Sequence, residues 1–267
     1  MSDSSQKIAI LTGGSSGIGR CAARSLADKG VKVYELSRRD VPAEGITHIY
    51  ADVSDEASVI AAVETVISNE GRIDILVNCA GFGISGAVEF TETKDAIKQL
   101  DVNFFGIVRT CHAVLPHMRK AGKGRIVNIS SVAAPIPIPF QTYYSASKAA
   151  INSYTAALAN EVRPYGITVC AVMPGDIASG FTDAREKTIV GDEEYGGRIE
   201  KSVKVMEKDE REGASPEQAG AFIAHQALKK NVKPYVAIGF VYKLFTVIMK
   251  FLPIRFTNWL LYQIYAK

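Results

Sequence analysis

Apolar runs and helical spacings alternate along most of the chain. "KIAILTG" (7–13) is a short continuous apolar run ending in glycine, and residues 18–29 carry apolar positions at helical spacing and stop at Gly30. The alternation recurs. "VKVYELS", "THIYADV", "IDILVNCAG", "GRIVNIS" and "ITVCAVMPG" read as strands two to six, and residues 55–69, 92–119, 143–163 and 215–229 as helices. Continuous apolar runs suit strands covered on both faces, and helices between them imply parallel pairing through right-handed crossovers. The pattern predicts an α/β fold, a doubly wound parallel sheet in a single domain without repeat or linker.

Two stretches break the rhythm. Residues 176–213 are polar, charged and interrupted by glycine, and they follow the end of a core strand, where ligands bind in this architecture. They are expected to form a mobile polar lid over a substrate site. The tail at 241–267 is apolar, but Lys243, Lys250, Pro253 and Arg255 interrupt it too often for a spanning helix of about 20 uncharged residues. Lys243 and Lys250 fall on one face of a helix whose other side carries Leu244, Phe245, Ile248, Phe251 and Leu252, and a second helix is expected at 257–265. Such a tail suits a membrane surface, a cover for the cleft, or another subunit.

Composition narrows the function classes. Hydrophobic residues make up 47% and charged residues 22%, as in ordinary soluble domains, and a dispersed net charge of +3 gives no nucleic-acid footprint. Cys21, Cys79, Cys111 and Cys170 stand far apart without a CxxC pattern, and the four histidines lack ligand spacing. Free thiols in a reducing compartment and no metal are expected. "MSDSSQK" has no apolar signal core, so a cytoplasmic protein, with peripheral membrane contact as an addition, is the expectation.

The chemistry begins at "ILTGGSSGIGR". Gly13, Gly17 and Gly19 lie between the first strand and first helix, where glycines allow a tight turn and close approach of backbone to a pyrophosphate. Ser15, Ser16 and Ile18 add backbone donors at the positive end of the helix. After strand two, "YELSRRD" offers Ser37, Arg38 and Arg39 where an acid would bind a free ribose 2′-hydroxyl; guanidinium suits a 2′-phosphate instead. This predicts NADP(H). On the helix at 143–163, Tyr144 and Lys148 are four apart and share a face, whereas Tyr143 meets only Ser147. An ammonium beside a phenol, whose unperturbed pKa is about 10, favours the phenolate and makes a usable acid/base.

The run Thr12–Gly19, the "NCAG" of Asn78–Gly81, the Tyr144–Lys148 pair and "MPGDIAS" together resemble the short-chain dehydrogenase/reductase family over residues 7–240. Cys79 stands where a second Asn is usual, and Ser179 where Thr is. The resemblance implies a Rossmann-type fold and reversible hydride transfer between a nicotinamide and a carbonyl. It also implies a catalytic set of Asn103, Ser131, Tyr144 and Lys148. Ser131 lies thirteen positions before Tyr144 and would hold the carbonyl; Ser130 points to the other face of the strand. Asn103, mid-helix, would hold a water linking Lys148 to solvent. Asp52, Val53, Asn78, Ala80 and Gly81 would line the adenosine. Tyr144, Lys148, Pro174, Gly175, Ile177 and Ser179 would border the nicotinamide end. A homodimer or homotetramer through the helices at 92–119 and 143–163 is implied as well.

For the substrate, the alternate prolines of "VAAPIPIPFQT" predict a stiff extended wall presenting Ile136, Ile138 and Phe140 beside Ser131 and Tyr144. An apolar wall suits a small lipophilic carbonyl or alcohol; packing against the lid or a subunit is the alternative. With the tail, it resembles the 17β-hydroxysteroid and retinol dehydrogenase-like branch. A hydroxysteroid or ketosteroid is therefore the leading expectation. Retinoid, long-chain or acyl-thioester ketones are the alternative, followed by a non-catalytic nucleotide sensor, against which the retention of both Tyr144 and Lys148 speaks.

Overall fold

The computed structural model describes residues 6–249 and 251–267; Lys250, and with it half of the expected basic face of the tail, lies outside them. Its sheet has seven parallel strands: β1 (Ile8–Thr12), β2 (Lys32–Ser37), β3 (Ile46–Tyr50), β4 (Ile75–Asn78), β5 (Gly124–Ile129), β6 (Ile167–Met173) and β7 (Tyr235–Ala237). Their spatial order is β3-β2-β1-β4-β5-β6-β7. The chain starts in the middle, winds outward to β3, and returns to the other side of β1 at β4. The crevice above the ends of β1 and β4 is thus the switch point where this architecture binds ligands. The six expected strands are present. β7 adds a seventh, too short to stand out as an apolar run, aligned with Ala171–Met173 of β6. β3 is an edge strand with partly exposed side chains, so double-sided burial does not extend to it.

Helices cover both faces. α2 (Glu56–Glu70), α4 (Gly106–Ala121) and α5 (Thr142–Glu161) enclose one core around Ile10, Leu76, Met118, Ile126 and Ile151. α1 (Gly17–Ala27) and α7 (Pro216–Leu228) enclose the other around Leu11, Leu26, Val127 and Ile223. α7 starts with a capping box between Ser215 and Gln218, which satisfies two of its otherwise orphaned N–H groups.

The helix expected over 92–119 is divided. α3 (Thr93–Leu100) leads into a π-helical turn at Asp101–Phe105 before α4 begins. Arg109 braces the turn, donating to the Asp101 carboxylate at 2.6 Å and to the carbonyl of Val53 at 3.0 Å. The widened turn carries Asn103, and such insertions concentrate at functional sites.

The polar stretch after β6 is built rather than loose. Phe181–Ala184 form one helical turn, Glu186–Lys187 pair in parallel with Ile84–Ser85, and α6 (Arg198–Arg211) buries Ile199, Ser202, Val203 and Met206. The tail forms α8 (Phe240–Ile248) and α9 (Ile254–Leu261), ending in a π-turn at Tyr262–Ala266. It is apolar on both sides, with Phe245 and Met249 packed inward on Ile136. Thr246 and Met249 are buried, while Leu244, Val247 and Ile248 face outward.

α1 and α7 touch at Gly220, where a Cβ would lie 2.5 Å from the backbone of Cys21. Gly220→Val must push α7 off the helix that starts at the glycine-rich loop. Overpacking of this kind costs about 1–3 kcal/mol, so thermal unfolding should show Tm lowered by roughly 2–10 °C; an unchanged Tm would contradict the close packing.

Candidate active site

At the nucleotide end, β1 and β4 are joined by one hydroxyl. Thr12 Oγ1 accepts the N–H groups of Cys79 (3.1 Å) and Ala80 (3.2 Å). Gly13 has φ +71°, and a Cβ on it would lie 2.7 Å from Ala80 Cα; one on Gly19 would lie 2.3 Å from the carbonyl oxygen of Gly13. Only glycine fits at either place. Ser16 caps α1 without a side-chain bond, and the first turn holds no acid. The free N–H groups of Gly17, Ile18 and Gly19 and the positive end of the helix therefore face the loop, as an anion requires. Above it, Arg39 Nη2 donates to Ser15 Oγ (3.3 Å) and Ser16 Oγ (3.4 Å), and Ser37 Oγ donates to the carbonyl of Arg39 (2.9 Å). Arg38 extends into solvent with Nη1 3.9 Å from the Asp52 carboxylate. Burial pushes the Asp52 carboxyl up, but bonds from Ser54 and the charges of Arg38 and Arg109 outweigh it and hold the pKa below the usual range. This cradle of close backbone, open helix end and two arginines fits a nicotinamide dinucleotide.

Asn78 departs from its expected place at the cofactor. Its amide donates to Asn128 Oδ1 (2.9 Å) and its oxygen accepts from Thr110 Oγ1 (2.7 Å), while Asn128 donates onward to Thr155 (2.9 Å). The side chain is 2% exposed and engaged inside the fold, so it fixes β4 to β5, α4 and α5. Ala80 and Gly81, just beyond, turn back over the cleft. The Cys79 thiol is pushed up to about 12 by burial and is inert.

The chemistry end is assembled by α5 against the ends of β4 and β5. Lys148 is 5% exposed, donates from Nζ to the carbonyl of Ile129 (2.9 Å), and lies 5.5 Å from the centre of the Tyr144 ring. No carboxylate pairs with it among the described residues, and burial pushes its pKa down to about 8. Ser130 Oγ donates to the carbonyl of Lys148 (3.0 Å), which ties the helix to the strand end. Ser131 Oγ accepts the N–H of Ala133 (3.1 Å), leaving its own hydrogen for Tyr144 or a substrate oxygen.

Asn103 is fully buried and clasps the backbone of Phe82, accepting its N–H and donating to its carbonyl, both at 2.9 Å. It also donates to Ser147 Oγ (3.2 Å), which donates to the carbonyl of Tyr144 (2.7 Å). Asn103, Ser131, Tyr144 and Lys148 thus meet around one cleft. Ser130 and Ser147, outside the sequence-derived set, are what hold them there. The spacing of Ser147, three after Tyr144, was the only signal for it.

The expected lowering of the Tyr144 phenol does not hold. Burial raises it to about 12; a hydrogen bond from Ser131 and the charge of Arg185 pull down, while Glu210 and Asp176 push up. The Lys148 ammonium is not the deciding neighbour, because the phenol's desolvation under Phe181, whose ring centre is 5.7 Å from its own, is larger. A phenol kept protonated is equipped to donate.

At the nicotinamide border, the carbonyl of Pro174 accepts from Val132 (2.9 Å), Ile177 is buried, and Ser179 Oγ accepts the N–H of Phe181 (3.4 Å). Tyr242 of the tail covers this border. Its ring carbons lie 2.3 to 2.5 Å from where a Cβ of Gly175 would stand, and its hydroxyl donates to the Asp176 carboxylate.

The proline segment is not the extended wall expected. Residues 132–135 form a turn closed by Ile136 N–H to the carbonyl of Val132 (3.2 Å), since proline fixes φ but allows both turn and extended ψ. Ile136 is buried against Met249 and Leu261 of the tail, so it anchors the cover instead of facing a free cleft. The backbone N–H of Ile138 donates to Ser145 Oγ (3.1 Å). Phe140 has φ +58°, strained for a non-glycine residue, and stacks edge-on to Tyr195 at 5.9 Å.

Lys148 gives the site a stability cost with a defined sign. Its folded pKa lies below the unfolded value of 10.5, so the penalty is complete below about pH 8 and vanishes as pH rises to about 10.5. Lys148→Met should therefore raise Tm at pH 7 by about 2–8 °C while turnover is lost. A Tm that falls, or one equally raised at pH 11, would contradict an uncompensated buried charge.

The short chain dehydrogenase family pattern matches residues 7–189. The chain is 42% identical over 266 residues to a 3-ketodihydrosphingosine reductase from Bacteroides thetaiotaomicron, covering 97% of this chain and 98% of that one. Among solved structures it resembles a short-chain dehydrogenase from Streptomyces avermitilis (TM-score 0.83, 27% identity, 96% and 97% covered). It also resembles ElxO with NADP bound (TM-score 0.74, 26%, covering 90% and 99%). A third likeness is to a 3-ketoacyl-(acyl-carrier-protein) reductase from Brucella melitensis complexed with NADH (TM-score 0.74, 25%, covering 87% and 96%). With a glycine cradle at the switch point and Ser131, Tyr144 and Lys148 converging beside it, the chain belongs to the short-chain dehydrogenase family of oxidoreductases.

Proposed function

We propose that this oxidoreductase uses NADP(H) to reduce a ketone on a long-chain lipophilic substrate. The observation that carries the reading is the meeting of Ser131, Tyr144 and Lys148 beside an apolar cluster in which Ile136 packs with Phe245, Met249, Leu252 and Leu261 of the tail. The likeness to the 3-ketodihydrosphingosine reductase supports it, because that likeness extends over nearly the whole chain. It favours the long-chain ketone over the hydroxysteroid expected from the sequence. Arg38 and Arg39 beside the ribose end support NADP(H) over NAD(H).

Bound in the cradle, the dinucleotide supplies the hydride. Ser131 donates a hydrogen bond to the ketone oxygen and holds it against the phenol. Tyr144 gives its proton to that oxygen as negative charge grows there. Lys148 puts a positive charge beneath the phenol as the phenolate forms. Asn103, through Ser147, keeps the first turn of α5 in register with the loop at Phe82.

The test is NADPH oxidation with 3-ketodihydrosphingosine, a ketosteroid and an acetoacetyl thioester. Turnover of the first is expected, with Tyr144→Phe binding NADPH normally yet losing nearly all rate. Preference for the steroid or the thioester would overturn the substrate class. Removing Arg38 and Arg39 together should lower the NADPH-to-NADH ratio of kcat/KM at least about tenfold, given about 1.5–3 kcal/mol per charge-assisted bond; an unchanged ratio would remove the NADP(H) assignment.

The outward face of the tail supports docking on an anionic lipid surface. Phe240, Phe251 and Ile254 are 79%, 82% and 67% exposed, with Lys243 and Arg255 exposed alongside. No helix among the described residues is long and apolar enough to cross a membrane, so the contact is peripheral. Trp259, the single tryptophan of the chain, is 55% exposed on α9 and reports on it directly. Vesicles containing phosphatidylserine should shift its emission to the blue, and Phe251→Glu should weaken the shift. No shift, with self-association instead, would assign the face to a second copy.

A further inference from the structure

One buried cation beside the cleft is left unanswered by the reaction. Arg185 follows the short helix after β6, and its side chain is fully enclosed. Nη2 pairs with the carboxylate of Glu210, which is held on its other oxygen by Thr182 Oγ1 at 2.7 Å. Nε and Nη1 have no partner. Buried N–H groups are almost always satisfied, and each one left open costs about 1–3 kcal/mol.

These donors lie beside the chemistry. The guanidinium carbon is 5.8 Å from the centre of the Phe181 ring, which stands 5.7 Å from that of Tyr144. A Cβ on Gly83 would lie 3.6 Å from Nε, and Gly83 is two residues from Gly81, where the same construction lies 3.8 Å from Lys148 Nζ. Free N–H donors require an acceptor oxygen. Glu210 already neutralises the guanidinium, and Asp176 carries a second carboxylate at the same rim, hydrogen-bonded to Tyr242. An added phosphate or carboxylate would face those two acids, whereas a neutral hydroxyl would not, and an ammonium would be attracted to them. The influence of Arg185, Glu210 and Asp176 on the Tyr144 phenol is consistent with this closeness.

We propose that Arg185, oriented by Glu210 and Thr182, is a head-group subsite that accepts the hydroxyl of an amino-alcohol portion next to the reacting ketone. This rests on the ketone-reductase reading and deepens it. The substrate is lipophilic at one end, but its polar end is selected beside the phenol. A plain alkyl ketone leaves the guanidinium donors unpaired and is discriminated against for that reason.

The decisive measurement is the ratio of kcat/KM for 3-ketodihydrosphingosine over the plain ketone of equal chain length. In the unmodified protein the amino-alcohol ketone should be preferred. Arg185→Lys should lower the ratio about ten- to a hundredfold, mainly through KM, since the lost bonds are worth about 1–3 kcal/mol. The paired change Arg185→Met with Glu210→Leu removes both charges without stranding either, which guards against loss of the fold, and should collapse the ratio in the same way. An unchanged ratio, or equal losses on both ketones, would mean that Arg185 only supports the lid, and would overturn the subsite. If neither ketone is turned over, the reductase reading fails separately. Calorimetric binding of a short-chain amino alcohol with NADP present then still decides the subsite: equal affinity with and without the guanidinium would sink it.

Discussion

Lys148 holds an ammonium that no carboxylate among the described residues answers, and much of the architecture keeps it there. The carbonyl of Ile129 accepts a hydrogen bond from its Nζ, and Ser130 Oγ donates to the backbone carbonyl of Lys148. That places the lysine at the junction of β5 and α5, which sit at their mutual angle because Asn128 bonds Thr155 beneath them. The cost is a charge in low dielectric, and the result is a positive potential beside the Tyr144 phenol. The parallel sheet makes this arrangement available: all strand ends face one way, so a single crevice collects the groups that close each βα connection.

Most of the sheet was legible in the sequence because strands buried on both faces are written as unbroken apolar runs. β7 was not, since three residues give no run, and β3 was read too long because an edge strand alternates. The order of strands does not follow from periodicity at all; it comes from crossover geometry. That Ser131, Tyr144 and Lys148 meet in one place is legible because a helix period and a strand end fix their relation locally. Asn103 was found, but its setting was not, because a π-turn differs from a helix by one residue and leaves no compositional mark. Arg185 and Glu210 are separated by 25 positions and meet only after α6 folds back, so no spacing could have joined them. The error over the Tyr144 phenol has the same origin: the sequence shows the neighbour that would lower it, while the burial that raises it belongs to the assembled cleft.

The tail illustrates how a pattern can be legible while its orientation is not. Amphipathicity is visible in the sequence, but the surface that each side meets is not, so membrane, cleft and second subunit all remain open there. Tyr242 turns inward to Asp176, Phe245 and Met249 turn inward onto Ile136, and Leu244, Val247 and Ile248 face outward. The tail consequently exposes Phe240, Leu244, Val247, Ile248 and Phe251 to its surroundings.

Tyr242 also sets an order of assembly. It reaches back across 66 positions to Asp176, and synthesis delivers it after every residue of the cradle and of the acid–base group. Every group of the dinucleotide loop, the phenol and the lysine thus precedes in the chain the residue that lies over Gly175 and Asp176. Enclosure of the border at Gly175 is therefore a long-range property, supplied by a helix that belongs to neither the loop nor the acid–base cluster.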